Sequence, residues 1–178
     1  ITRDGKTTLH SMSASGGSEK TTYRVSANIK DVEGILNNTG YNQLNTRAAI
    51  STRAMKDKLK IDFNLSYTKR DADLGDERAF EFAQFYNPTA PIYGENSPFA
   101  FNSSQYGGYF ESLGLFRSYN PVAIIEQTRN TRMSTDFNYN VNFNYSLSDS
   151  FDITVRAAEQ RTTSRDQLYR PTTLLFEG

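Results

Sequence analysis

The chain has 178 residues, with 20 Lys plus Arg against 20 Asp plus Glu and a net charge of zero. That length suits one ordinary domain, and a chain without a net field has nothing to draw nucleic acid or an anionic surface to it. A 37% hydrophobic share and a mean hydropathy of -0.65 come with no apolar run long enough for a membrane helix.

The absence of cysteine removes both a disulfide framework and a thiolate metal site. Low hydropathy does not count against a membrane β-barrel, because about half the residues of each barrel strand face a wet interior.

In chain order, alternation of apolar and polar residues predicts six strands, at roughly 7–15, 21–30, 44–54, 58–69, 133–146 and 151–162. The second sets Tyr23, Val25, Ala27 and Ile29 against Arg24, Ser26, Asn28 and Lys30. The fourth sets Leu59, Ile61, Phe63, Leu65 and Tyr67 against Lys60, Asp62, Asn64, Ser66 and Thr68. The fifth is clearest, with Phe137, Tyr139, Val141, Phe143 and Tyr145 between Asp136, Asn138, Asn140, Asn142 and Asn144. Successive side chains of a strand point to opposite faces, so these segments form a sheet with one greasy and one wet face. The first and third stripes are poorer, with His10, Met12 and Ala14 on one and Leu44, Thr46, Ala48 and Ile50 on the other. Helix signals are weak throughout.

The connections alternate in length. Gly16 to Glu19, Met55 to Asp57 and Leu147 to Ser150 read as tight turns, whereas 31–43 and 70–132 are long connections. In an antiparallel meander this puts every short turn on one edge and every long loop on the other, as in outer-membrane barrels. Strands of about ten residues tilted near 45° rise about 23 Å, close to the roughly 25 Å apolar band of such barrels. Tyr23, Tyr145 and Phe151 at the short-turn end and Tyr67 at the long-loop end fall where aromatic girdles belong. The expected fold is all-β, an antiparallel meander forming part of a larger transmembrane barrel, because closure takes about eight strands. Opening at Ile1 without a leader, the chain is expected to have lost a signal or to be a segment of something longer, and the connection pattern favours the segment.

The run Ser15-Gly16-Gly17-Ser18-Glu19-Lys20-Thr21-Thr22-Tyr23-Arg24-Val25-Ser26, with Glu33-Gly34-Ile35, resembles the early barrel of SusC/RagA-like TonB-dependent outer-membrane transporters. Asn87-Pro88-Thr89-Ala90-Pro91-Ile92-Tyr93, Tyr119-Asn120-Pro121-Val122-Ala123 and the strand, turn and strand around Tyr145 to Phe151 extend the resemblance over roughly residues 9–153. It implies a barrel of about 22 strands with a plug, importing oligosaccharides or oligopeptides with a SusD-like surface lipoprotein and driven through TonB. The whole chain, 1–178, would be a barrel segment in outer-membrane lipid, with the plug outside it.

Candidate binding residues sit in the long loop, rich in Phe and Tyr: Tyr86, Tyr93, Phe99, Tyr106 and Tyr109 could present flat apolar faces and hydroxyls to sugar rings or peptide side chains. A loop cluster must mostly contact itself to stay ordered, so any one such ring is first expected to pack the loop against itself, the plug or the lipoprotein. Asp71, Asp73, Asp76 and Glu77 around Gly75 form an oxygen-rich run that could hold calcium, although it lacks the EF-hand pattern and also fits a solvated acidic loop.

The polar stripes, with Arg24, Lys30, Arg47, Arg53 and Arg156 beside Asp62, Asp136 and Asp152, could line a substrate path, solvate the wall or pair with the plug. His10 is the single histidine, so no multi-His metal site can form, and no nucleophile elbow or phosphate-cradling loop occurs. An enzyme, a cofactor and a nucleic-acid partner are not expected. The rival from another class is a soluble β-sandwich that binds glycan, with its apolar stripes against a second sheet. A siderophore-type receptor shares the barrel but not the quoted strings.

Overall fold

A computed structural model describes residues 1–94, 103–112 and 118–176. Six strands form one antiparallel sheet in sequence order: β1 (Lys6–Gly17), β2 (Thr21–Glu33), β3 (Gly40–Ala54), β4 (Leu59–Asp73), β5 (Arg129–Ser148) and β6 (Phe151–Tyr169). Every expected strand is present and every neighbour is a sequence neighbour, so the sheet is a meander. Each strand beyond β1 runs past its expected end on the long-loop side, and the first long connection shrinks from 31–43 to 34–39. Above the apolar stripe both faces carry polar residues, such as Asp71, Asp73, Arg132 and Asp166, so alternation vanishes while backbone pairing continues.

Two short helices, α1 (Arg78–Phe85) and α2 (Pro121–Gln127), and a 3-10 turn at Ser103–Tyr106 lie in the connection between β4 and β5. Weak helical signals thus did not mean no helix. The short turns have definite backbone demands: Met55, Lys56 and Asp57 all take positive φ, at 54°, 58° and 68°. At Gly17 a Cβ would lie 2.4 Å from the Thr21 carbonyl oxygen, so only glycine closes the first hairpin this tightly.

Pairing joins residues of the same face across the strands. One row on the apolar face runs Tyr23, Ile50, Phe63, Val141 and Ala157; another runs Ile29, Leu44, Lys69, Thr135 and Thr163. The apolar band does not follow these rows; it slants. On β2 it spans Tyr23 to Ile29, but on β6 it spans Phe151 to Ala157 and gives way to Glu159 and Arg161. Both rims therefore slip six residues toward the short turns between β2 and β6, from Thr163 to Ala157 above and from Ala157 to Phe151 below. Six residues are about 20 Å along a strand, and four strand spacings are about 19 Å, a slope of about 45°. The band is bare: Val25 is 50% exposed and Phe151 56%. Among the described residues no second layer covers it.

The buried core lies elsewhere, beyond the long-loop edge of the sheet. Leu36 from the 34–39 connection, Ala79 of α1, Ala123, Ile124 and Ile125 of α2, and Leu174 and Phe176 of the final segment form one cluster. The helices pack on each other rather than on a face of the sheet. Three long segments thus meet on one edge, as the alternating connection lengths require.

Candidate functional site

The long connection is organised by Asn120, which is fully buried. The pair Asn120-Pro121 suits a helix start, because Asn caps and Pro sits well at the first helical position. Its Oδ1 accepts from the backbone N–H groups of Val122 at 3.0 Å and Ala123 at 3.4 Å. Its Nδ2 donates to the carbonyls of Ile92 at 2.8 Å and Phe110 at 3.0 Å, and its backbone N–H donates to Glu111 Oε2 at 3.0 Å. One amide side chain therefore pins α2 to two separate loop strands. Glu111 is itself buried; desolvation pushes its carboxyl up to about 7, against a smaller downward pull from the Asn120 amide.

Around this anchor the predicted aromatic residues divide. Tyr86 is half-buried and its hydroxyl donates toward the Pro91 and Phe110 carbonyls, at 3.3 and 3.2 Å. Burial, with the nearby Glu111 charge, pushes its hydroxyl up to about 12. It is placed as a strut of the loop. Tyr106 ends the 3-10 turn, and its carbonyl accepts from Gln127 Nε2 at 3.4 Å. Phe82, Tyr119 and Phe176 form an edge-to-face trio with centroids 5.1 Å apart, inside the small core. Phe99 lies outside the described residues, as do Phe101 and Phe116.

Tyr93 and Tyr109 come together. Their backbones form an isolated bridge and their rings lie 5.3 Å apart. Both hydroxyls donate to Glu126 Oε2, Tyr109 at 2.5 Å and Tyr93 at 3.3 Å. Burial and this carboxylate hold the Tyr109 hydroxyl far above its usual range, and the Glu126 charge raises that of Tyr93. Tyr93 is 50% exposed. The result is a solvent-facing ring backed by a carboxylate on a braced loop, a surface that can stack an apolar face and accept hydrogen bonds from hydroxyls or amides. Sequence reasoning named the two tyrosines but not Glu126, which has no local signal because it approaches them only through the folding of the loop. Asn120 did carry a signal, the Asn-Pro helix start.

The acidic run does not converge. Asp76 accepts from Arg78 at 2.9 and 2.8 Å and from Arg170 at 3.2 Å. Burial raises its carboxyl, and the two guanidinium groups more than cancel that, so it sits below the usual range. Asp71 pairs with Lys69 at 3.0 Å, Asp73 is exposed on β4, and Glu77 precedes α1 without a side-chain capping bond. Among the described residues no group of three or more His, Asp or Glu is gathered to hold a metal ion. His10 is exposed on the edge strand β1, opposite Ile29.

No family model matches the chain. The sequence is similar to the TonB-dependent receptor SusC of Bacteroides thetaiotaomicron, at 26% identity over 176 residues, covering 89% of this chain and 17% of SusC. The chain thus spans about one sixth of the length of the receptor it resembles. The six-strand meander and the similarity to SusC agree with a piece of a TonB-dependent receptor. At the residue level, the similarity adds no assignment to Tyr93, Tyr109 or Glu126.

Proposed function

We propose that this chain is a wall segment of an outer-membrane TonB-dependent transporter of the SusC kind. The observation that carries the reading is the slanted apolar band. Strands of transmembrane barrels tilt by about 35–45°, so a lipid-facing band level with the membrane must cross the strand pairing obliquely. The roughly 45° slope across β2 to β6 agrees with that geometry, and the rims carry Tyr23, Tyr145 and Phe151 below and Tyr67 and Phe137 above. A soluble sandwich needs a second layer over Val25, Phe63 and Val141, and the described residues supply none.

In this reading the chain is one part of a barrel of about 22 strands, the polar face looks inward toward a plug outside this chain, and TonB supplies the energy. The cargo is an oligosaccharide or oligopeptide taken up as a nutrient, and a SusD-like lipoprotein meets the surface loops. Loop 74–128 stands at the cell surface, where Tyr93 and Glu126 contact cargo or lipoprotein. The segment has no catalytic role of its own.

The test is a pair of neighbouring substitutions in the intact receptor. Val141→Lys should cost roughly 2–4 kcal/mol of stability or abolish assembly in the outer membrane, and Asn142→Lys, on the other face and opposite Asp62, should cost little. Equal tolerance of both, or an intact protein that stays soluble without detergent, would sink the assignment.

A further inference from the structure

The polar face is not evenly paired. Several of its acids are engaged from within the sheet: Asp62 accepts from Ser51 Oγ at 2.7 Å and Lys60 Nζ at 3.0 Å, and Asp136 accepts from Thr162 Oγ1 at 2.7 Å. Asp166 is held by Arg132 through two contacts of 2.7 Å. Several cations of the face are not engaged in this way, Arg53 and Arg156 among them, and two of these, Arg24 on β2 and Arg47 on β3, adjoin each other. Register pairs Arg24 with Ala49 and Ser26 with Arg47, so the two arginines are diagonal neighbours on one face. Among the described residues neither guanidinium has a hydrogen bond or an ion pair.

They flank a depression of about 480 Å³ whose other polar walls are Ser26, Asn64, Ser66, Asn138 and Asn140. Ala49 leaves the floor open between the two cations. The asparagines are already ordered, with Asn64 donating to Asn140 at 3.0 Å and Asn138 to Ser66 at 3.4 Å. Asp62 lines an adjoining depression with Arg24 but is committed to Ser51 and Lys60.

From this geometry we infer that the depression around Arg24 and Arg47 binds a carboxylate group. Two like charges at diagonal positions repel unless an anion lies between them, and the planar guanidinium fork matches the two oxygens of a carboxylate. The surrounding donors are neutral amides and two hydroxyls, and the sheet amides here are spent in the ladder. That set suits one planar, singly charged group attached to a hydroxyl- or amide-bearing body, rather than a phosphate that needs several further N–H donors. The carboxylate has two possible sources: an acidic solute passing through the barrel, or an acidic side chain from another part of the same polypeptide. The inference rests on the transporter reading, in which this face looks inward.

The experiment uses the full-length receptor in detergent, as wild type, as Arg24→Gln with Arg47→Gln, and as Arg24→Lys with Arg47→Lys. Calorimetry measures binding of a galacturonate tetrasaccharide, a tetraglutamate peptide and the neutral maltotetraose, and a melting curve is recorded for each variant. With a solute source, the glutamine pair weakens at least one acidic probe ten-fold or more, leaves maltotetraose and the melting point unchanged, and the lysine pair recovers only part of the loss. With an internal source, the glutamine pair lowers the melting point by several degrees, and the lysine pair restores most of it. If acidic binding and melting both stay at wild-type values, or if acidic and neutral probes weaken alike without a change in melting, the inference is overturned. Failure of the transporter reading shows separately, as an intact protein that needs no detergent.

Discussion

The backbone N–H of Asn120 donates to the carboxylate of Glu111 at 3.0 Å, joining a fully buried amide to a carboxyl that is only 9% exposed. A helix start and a loop strand are thereby locked to each other through one acid whose charge is costly where it sits. The consequence is a loop whose firmness depends on pH near neutrality.

Glu111 has its folded pKa raised from an ordinary 4.5 to about 7. The folded loop therefore holds a proton that the unfolded chain releases, and its stability is full below pH 4.5 and falls as pH rises through about 7. The expected loss is roughly 3 kcal/mol, local to loop 74–128. Hydrogen exchange at α2 should quicken between pH 5 and about 8, and Glu111→Gln should flatten that dependence. A wild-type loop with pH-independent protection, after correction for intrinsic exchange, would contradict this.

Asn120→Ala removes a helix cap and one of two donors from each of the Ile92 and Phe110 carbonyls, which keep the Phe110 N–H and the Tyr86 hydroxyl respectively. A lost cap costs about 1 kcal/mol and each lost carbonyl bond adds about 1 more, so loop protection should fall by about 3 kcal/mol. The sheet, whose pairing does not involve Asn120, should keep its circular dichroism. Asn120→Asp keeps the cap acceptor and loses the donors, so equal protection in Asp and wild type would show that the two carbonyl contacts contribute nothing.

Acid should release the other end of the loop. Asp76 has its folded pKa below the ordinary 3.8, so its ion pairs with Arg78 and Arg170 contribute stability above that value, lost as pH falls through the lower folded value. Asp76→Asn should already lack this contribution at neutral pH and show a smaller further loss in acid. Protection of α1 measured by exchange at pH 3 and pH 6 distinguishes the two proteins.

Tyr93 should matter to capture and Tyr109 to architecture. In the full-length receptor, Tyr93→Ala should weaken oligosaccharide or peptide binding about three- to ten-fold, the worth of one ring contact, without altering the fold. Tyr109→Phe should loosen the Tyr93 bridge through loss of its bond to Glu126 and show in loop exchange. Unchanged binding of a panel of oligosaccharides and peptides in Tyr93→Ala would remove this ring from the cargo surface.

How much was legible beforehand follows from the range of each interaction. Val141 and Asn140 reveal their faces to anyone reading the chain, because consecutive strand side chains point oppositely whatever the rest of the protein does. The order of short and long connections likewise announced which edge would collect Leu36, Ile124 and Phe176. The helices were harder: α1 has 8 residues and α2 only 7, too short for a 3.6-residue period to stand out.

The amino-acid order by itself determined the strands, their two faces and the edge that carries the loops, since period-two polarity and turn chemistry act over a few residues. Only the tertiary structure decided which side chains became neighbours. The slant of the band, the seat of Glu126 beneath Tyr93 and Tyr109, and the meeting of Arg24 with Arg47 all depend on strand register and loop closure, which local polarity does not encode.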